Sequence, residues 1–431
     1  FKNKKILIYG FGKSGRACFN NLKKNNKLFI YDDKKSNIKK KLSKFYINKK
    51  KLVSDYFNYI VISPGIDIKK CSINKYLFKN RNKLINELDI FYLKNKKNIK
   101  ITITGTNGKS TTSKLIYEIL KKHKKDVRLV GNIGNPLLLE KKIKSKTIFV
   151  IEASSYQIDY SRYFRTNYAL ILNITPDHIE RHGTFQNYVK AKFKLIKKQT
   201  KDDYALVEKQ NKLIEYEIKK NKPKSKIIRI NYDYKEIKKK INNFYFKNIN
   251  NLNNLKFALA LSSILKLNKR KIYSVVNSFK GLNFRQQILY KDKNLTIIND
   301  SKSTSFSSSI NLLQSYKNIY WLVGGKFKKG DKFKLSKKYY KNINAYIFGK
   351  NINFFINKFR NKLNYQRFKN IEQTLKKILY DIKKKNFYPV SIIFSPSAAS
   401  FDQFKNFEER GNYFNSIIKK LRVINKINVR K

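Results

Sequence analysis

The sequence predicts an α/β protein of three domains, and three observations carry that reading. Short runs rich in β-branched and aromatic residues recur along the chain: KKILIYG, LFIYDD, YIVISPG, IKITITG, TIFVIEASS, YALILNITP, LTIIND, IYWLVGG, AYIFGK and VSIIFSPS. Most are apolar throughout, as strands are when helices cover both faces of a parallel sheet. Helix-period stretches separate them; in STTSKLIYEILKK, Leu115, Ile116, Ile119 and Leu120 fall on one face. Strand and helix in alternation mean α/β. The length, 431 residues, allows three domains of about 150 residues each. The Lys/Asn-rich stretch 79–98 and a region near 281 read as seams, which places the domains at 1–93, 94–281 and 282–431. The stretch 209–250 resists assignment.

Composition excludes more than it assigns. Hydrophobic residues make up 41% of the chain, enough to bury cores. Two cysteines, Cys18 and Cys71, give neither a disulfide framework nor metal-ligand spacing, so a reducing compartment is expected. The first apolar run starts almost at residue 1 with no separate apolar segment before it, and no run reaches the roughly 18 residues a membrane helix needs. A cytoplasmic protein outside the membrane is the expectation. The net charge is +70, from 98 Lys+Arg against 28 Asp+Glu, a field that attracts any polyanion. The excess is lysine spread evenly among Asn, Ile, Phe and Tyr, residues with A- and T-rich codons. Biased nucleotide composition accounts for it without a nucleic-acid partner, and no zinc finger or RNA-recognition signature argues otherwise.

Polar clusters follow the apolar runs directly, where open parallel sheets bind ligands. The first is GFGKSG, Gly10 to Gly15, with Asp32 and Asp33 about 20 residues on. This is the dinucleotide-binding fingerprint: glycines let the backbone approach a diphosphate at a helix N-terminus. A tight turn with no ligand fits the same residues, and a dehydrogenase would explain this motif alone. The second is GTNGKSTT, Gly105 to Thr112. It lacks the first glycine of G-x-x-x-x-G-K-[ST], since Ile103 stands there. The N–H groups of Gly105, Thr106, Asn107, Gly108 and Lys109 can still form an anion nest at a helix start. Lys109 would reach the β/γ-phosphates, and Ser110 or Thr111 a magnesium ion. Glu152 ends the next strand, where a metal or a helix cap would equally use it. NITPDHIERHG holds His178 and His182, two of only three histidines. INDSKSTS places Asp300 and Lys302 after a strand, as ligand groups or as a Ser-capped helix start. SPSAASFDQFKNFEERG has Ser400 and Gln403 at capping-box spacing, which predicts a helix start there.

Together, in this order and over nearly the whole chain, these blocks resemble the Mur ligases, ATP-dependent amide-bond-forming enzymes of peptidoglycan precursor synthesis. GTNGKST looks like the family's short ATP loop, and EASSYQ, NITPDHIERHG and NDSKSTS are similar to its later blocks. SPSAASFDQFKNFEERG resembles the C-terminal signature of the D-glutamate-adding branch. The resemblance implies a Rossmann-like N-terminal domain, a central P-loop-type ATPase domain and a Rossmann-like C-terminal domain. It makes the first glycine loop a holder of the UDP of UDP-MurNAc-L-Ala, with Gly12, Ser14, Asp32, Asp33 and Lys34. It assigns Asn132, Ser154, Gln157 and His178 to the muramoyl substrate or its metal. Ser110, Glu152, His178 and Lys192 are implied Mg2+ ligands, Lys192 as a carbamate. Asn251, Arg285 and Asp300 are implied ATP contacts. Lys302, Ser303, Lys328 (or Lys329), Ser400 and Phe407 are implied to bind D-glutamate or to neighbour it. The chain departs from the family in having Asn250 and Phe284 where His is common, and one residue fewer between His178 and Lys192.

The implied reaction activates the substrate carboxylate with ATP as an acyl phosphate, which the amine of D-glutamate then attacks. Lys109, Glu152, His178 and Lys192 are the implied catalytic residues. No protein nucleophile is required, and none is evident. Three substrates on three domains imply closure during turnover. A monomer with no membrane or nucleic-acid partner is expected. Another Mur ligase or a folylpolyglutamate synthase would share the ATP loop.

Overall fold

The computed structural model describes the chain except residues 35, 36, 39, 54, 210, 232–236, 238, 248, 329, 386, 387 and 429–431. Lys329, the alternative to Lys328, lies outside the described residues. All ten apolar runs become strands of three sheets. The first sheet holds β1 (Lys5–Tyr9), β2 (Lys27–Tyr31), β3 (Tyr59–Ile62) and β4 (Leu84–Ile85), parallel in the order β2-β1-β3-β4. The second holds β5 (Ile99–Thr104), β6 (Val127–Gly131), β7 (Ile148–Glu152), β8 (Tyr168–Ile171), β9 (Tyr204–Glu208) and β10 (Lys226–Ile230). Its order is β10-β9-β8-β5-β7-β6, again parallel. The third holds β11 (Gln287–Lys291), β12 (Leu295–Asn299), β13 (Ile319–Gly324), β14 (Ile343–Phe348), β15 (Asn364–Phe368) and β16 (Val390–Phe394). Its order is β11-β12-β16-β13-β14-β15, and only the β11–β12 pair among these is antiparallel.

The chain divides into two compact units, Phe1–Ile241 with Asn253–Asn277, and Asn242–Leu252 with Ser278–Lys431. In the first, one apolar core runs through both sheets, from Ile6 and Ile8 to Phe149, Ile151 and Val207. In the second, alternate residues of each strand feed two cores: Ile297, Tyr320, Leu322 and Ile392 face one way, and Ile298, Trp321, Val323 and Ile393 the other. The period of two in side-chain direction sets this division.

The helix Lys109–Lys122 buries Leu115, Ile116, Ile119 and Leu120, as its pattern predicts. It ends with Lys124 at φ 55°, while Lys124 N–H bonds Lys121 O at 2.9 Å and Lys125 N–H bonds Leu120 O at 3.2 Å. These paired bonds satisfy carbonyls that a helix end leaves open. Among the described residues no helix is long and apolar enough to cross a membrane.

The stretch 79–98, read above as a seam, is packed. Its helix Glu87–Lys94 carries a reciprocal cap between Asn86 and Asp89. Asp89 is fully buried, and its Oδ1 also accepts from the N–H groups of Arg162 (3.0 Å), Tyr163 (2.7 Å) and Phe164 (2.9 Å). The side chain thus ties this helix to the segment after helix Ser155–Tyr160. Asp89→Ala strands those buried donors, and each unsatisfied donor costs roughly 1–3 kcal/mol. We expect a stability loss of at least about 3 kcal/mol in urea unfolding of the variant against wild type; a loss below about 1 kcal/mol would contradict this role.

Candidate functional site

Leaving β5 at Thr104, the chain turns at Gly105 (φ 153°) and Gly108 (φ 83°), then enters helix Lys109–Lys122. Position 108 has to be glycine on two counts: the left-handed backbone, and a Cβ that would stand 2.0 Å from Asn254 Oδ1. No side chain caps this helix, so its first N–H groups and the positive end of its dipole face the loop. Asn173 sets the loop's shape. Its Oδ1 accepts from Asn107 N–H at 2.8 Å, its Nδ2 donates to Asn107 O at 3.0 Å, and its carbonyl accepts from Thr106 N–H at 2.9 Å.

Two ammonium groups converge on one carbonyl of this loop. Lys109 Nζ donates to Gly105 O at 2.9 Å, and Lys192 Nζ donates to the same oxygen at 3.0 Å. Lys192 is buried in helix Phe185–Lys197, which Thr184 caps. Burial, then the nearby charge of Lys109, hold the Lys192 amine well below the usual lysine range, against the opposing pull of Asp177 and Glu152. A larger fraction of that amine is neutral, the form that adds to carbon dioxide.

Parallel pairing sets Glu152, the last residue of β7, beside Ile103 of β5 and Gly131 of β6. Its carboxylate, 1% exposed as a residue, accepts from Ser110 Oγ at 2.5 Å and from Asn132 Nδ2 at 2.8 Å. Ser110 and Glu152 are hard oxygen donors at the mouth of the loop, the donor type that Mg2+ takes when phosphates and water complete its shell. The residues present therefore fit Mg2+. His178 is placed differently. It sits at φ 54° with its side chain 39% exposed, Nε2 3.4 Å from Asp177 and Nδ1 3.7 Å from Glu180. Among the described residues no three His, Cys, Asp or Glu side chains gather closely enough to hold a metal. Tyr188 links His178 to the loop: its ring lies 6.3 Å from the imidazole, its hydroxyl 3.0 Å from Thr106 Oγ1, and Lys192 Nζ 4.6 Å over its face.

At the first glycine loop, a Cβ on Gly12 would meet nothing within 4 Å, so the start of helix Lys13–Leu22 is open. The carboxylates expected there are engaged within the chain. Asp32 accepts from Phe11 N–H (2.6 Å), Lys34 N–H (2.9 Å) and Asn37 Nδ2 (2.9 Å). Asp33 accepts from Tyr9 Oη at 2.6 Å and from Ser72 Oγ. Ser14 Oγ donates to buried Glu87 at 2.5 Å, where burial raises the carboxyl's affinity for a proton. Ser154 and Gln157 form a reciprocal helix cap, with Ser154 N–H 2.9 Å from Gln157 Oε1.

In the second unit, Asp300 is buried between Gln286 N–H (3.1 Å) and Ser395 Oγ (2.8 Å), and burial pushes it up to about 7 against the pull of Arg285 and Arg410. Asn251 Nδ2 donates to Tyr245 O at 3.0 Å. Lys302 Nζ lies 3.9 Å over the ring of Phe407, a cation–π contact that joins two residues expected at one site. Ser303 is buried, its hydroxyl bonded to Ser308 and Ser309, while neighbouring Thr304 is exposed. Lys328 is half-buried after β13, and its carbonyl accepts from Asp331 N–H at 3.1 Å. Phe284, one of the departures from family pattern, packs where a Cβ on Gly411 would stand 2.3 Å from its ring. The other, Asn250, accepts from Asn311 Nδ2 at 3.0 Å.

One expectation is corrected. No helix begins at Ser400: residues 401–403 form a turn closed by Phe404 N–H to Ser400 O at 2.8 Å, and Gln403 Nε2 turns away to Lys369 O. The helix is Phe407–Lys420, capped by Asn406, whose Oδ1 accepts from Glu409 N–H at 2.7 Å. Asn406, with Glu408 and Glu409 in the first turn and its side chain free to accept from Glu409 N–H, caps the helix in place of Ser400, which is buried.

Sequence reasoning also passed over Asn173 and Arg181. Arg181 Nη2 donates to Pro64 O (3.2 Å), to Tyr160 Oη (2.9 Å) and to Ile66 O, tying the loop after β3 to the short helix that follows His178. Both lie inside the NITPDHIERHG block; their proximity to histidine was the available signal.

The family model "Mur ligase middle domain" matches residues 103–264. Among solved structures, a MurC from Thermotoga maritima is similar at TM-score 0.55 and 15% identity, covering 97% of this chain and 100% of that one. A MurF from Thermotoga maritima in complex with ADP is similar at TM-score 0.55 and 15% identity, covering 97% and 96%. The curated UDP-N-acetylmuramoylalanine–D-glutamate ligase of Rickettsia prowazekii is 32% identical, over 97% of this chain and 99% of its own length. That of Wolbachia sp. subsp. Brugia malayi is 32% identical, over 98% and 97%. With such relatives matching end to end and the middle-domain match across the phosphate loop, this chain belongs to the Mur ligase family, on its UDP-N-acetylmuramoylalanine–D-glutamate ligase branch.

Proposed function

We propose that the chain is an ATP-dependent ligase joining D-glutamate to UDP-N-acetylmuramoyl-L-alanine in peptidoglycan precursor synthesis. The names of its full-length relatives support the activity. The observation that carries the site assignment is the convergence of Lys109 and Lys192 on Gly105 O, beside the buried Ser110–Glu152 pair and the uncapped helix start. The Lys109 ammonium, a helix start with no side-chain cap and hard oxygen donors at one loop suit a triphosphate and its metal.

In this reading the substrate carboxylate attacks the γ-phosphorus of ATP, giving ADP and an acyl phosphate. The D-glutamate amine then attacks the acyl carbon, and phosphate leaves with one oxygen of the original carboxylate. Lys109 and the N–H groups at the start of helix Lys109–Lys122 offset the repulsion between two anions, while Asn173 holds the N–H groups of Thr106 and Asn107. Ser110 and Glu152, with His178 and a Lys192 carbamate, would hold Mg2+, which neutralises phosphate charge when bound. Neutral Lys192 adds to carbon dioxide through Nζ and loses a proton, so a buried neutral amine becomes an anionic oxygen donor. Gly12, Ser14, Asp32, Asp33, Lys34, Asn132, Ser154 and Gln157 are proposed for the UDP-substrate. Asn251, Arg285 and Asp300 are proposed for the nucleotide, and Lys302, Ser303, Lys328, Ser400 and Phe407 for D-glutamate. No protein nucleophile takes part; orientation can lower such barriers by roughly 7–11 kcal/mol. Domains at 1–93, 94–281 and 282–431 belong to the proposal, supported by one sheet in each range. A cytoplasmic monomer with no nucleic-acid partner completes it.

ADP release measured with UDP-MurNAc-L-Ala, with and without D-glutamate, tests the activity; release independent of both would end it. Glu152→Gln keeps the shape but removes the charge, and should cut turnover roughly 10²–10³-fold; wild-type turnover would remove Glu152 from the site. Lys192→Arg keeps a cation but cannot form a carbamate. It should be as inactive as Lys192→Ala, and 13C-bicarbonate should give a carbamate resonance in wild type that both variants lack. An active Lys192→Arg enzyme would refute the carbamate.

A further inference from the structure

Arg410 is wholly buried in helix Phe407–Lys420. Among the described residues its hydrogen-bond partners are a hydroxyl and two carbonyls, none of them a carboxylate: Nε donates to Ser301 Oγ at 3.1 Å, and Nη2 donates to Ser301 O at 2.7 Å and Ala398 O at 2.9 Å. Nη1 has no hydrogen-bond partner among the described residues, and a Cβ on Gly325 would come within 3.0 Å of it. Burial lowers the group to about 10, with Asp402 and Asp300 pulling it back, so the charge persists at neutral pH. A buried cation whose bonds go to neutral groups is costly, and cores usually avoid it.

Its position explains the expense. Ser301 follows β12, Gly325 follows β13 and Ala398 follows β16, and these strands are neighbours in the order β12-β16-β13. The guanidinium hydrogen-bonds the loops after β12 and β16, and its Nη1 lies beside the loop after β13 at Gly325, all at the carboxyl ends of adjacent parallel strands, where open sheets take ligands. The same loops carry Lys302, Ser303, Lys328 and Ser400, and Ser301 Oγ donates onward to Phe407 O at 2.9 Å. Lys326 and Ala399 exchange backbone bonds at 2.8 and 2.9 Å beside it. Residues proposed for D-glutamate thus hang on one planar, five-donor group that lysine cannot imitate.

We propose that Arg410 is the positioning residue of the amino-acid site, holding these loops in register and lending a fixed positive charge that favours an amino acid with two carboxylates. The proposal rests on the ligase reading above. A wild-type chain without D-glutamate-dependent ADP release would end both before any variant is compared. Given that activity, Arg410→Lys should raise KM for D-glutamate about tenfold and Arg410→Met about a hundredfold, the range expected for losing one and several hydrogen bonds from a charged donor. KM for ATP should stay within about twofold in both. The preference for D-glutamate over D-glutamine, as a ratio of kcat/KM, should fall in Arg410→Met and be partly kept in Arg410→Lys. An unchanged KM for D-glutamate, or equal rises for ATP and D-glutamate, overturns the proposal. Should either variant fail to fold, Ser301→Ala removes the hydroxyl that accepts from Nε while leaving Arg410 in place and should show the same KM split; its absence there overturns the proposal equally.

Discussion

The candidate ATP site depends on one buried carboxylate. Glu152 has no freedom to be elsewhere: parallel register fixes it level with Ile103 and Gly131, and Ser110 and Asn132 hold its two oxygens. Those two partners come from the helix after β5 and the loop after β6, so one side chain reports whether three strand ends are aligned. Ala153 N–H to Ile103 O (3.0 Å) and Asn132 N–H to Glu152 O (2.9 Å) extend the pairing past the strands and fix the height at which the carboxylate emerges. A one-residue slip would turn it to the opposite face and leave a charge in the apolar core.

Local charge, not net charge, decides what the site prefers. The chain carries +70, yet most lysines lie on its surface, where salt screens them. Lys109 and Lys192 differ because they meet at one carbonyl, with Lys192 out of water. Their mutual repulsion favours an anion between them and, in its absence, favours a neutral Lys192. The same logic holds in the second unit, where buried Arg410 and Asp300 perturb each other without touching.

Strand legibility followed burial. The ten apolar runs that were read as strands all appear. Of the six strands missed, β4, β6, β10, β11 and β15 lie at sheet edges. Edge strands need fewer apolar residues: NYQRF has no buried position, and KIIRI has one. The inner strand β9, YALVE, was lost because it borders the Lys/Asn-rich region that resisted assignment. The glycine loops directly follow, and Glu152 ends, strands that their apolar runs predict, so their positions were legible from the pattern. Arg410 was not, since its contacts span 109 positions that no local pattern records, and Asn173, whose contacts span 66, had only its place in the histidine-containing block to mark it. Ser400 was misread as a cap because spacing alone cannot tell a buried serine from an exposed one.

In the proposed reaction ATP activates the substrate's carboxylate, and the chain's groups hold anions together instead of supplying a nucleophile. The fate of oxygen tests it most directly. UDP-MurNAc-L-Ala labelled with 18O in the alanyl carboxylate should, on turnover with ATP and D-glutamate, pass one 18O atom to the released inorganic phosphate. Phosphate free of 18O, with full product formation, would contradict an acyl phosphate and with it this reading of the site.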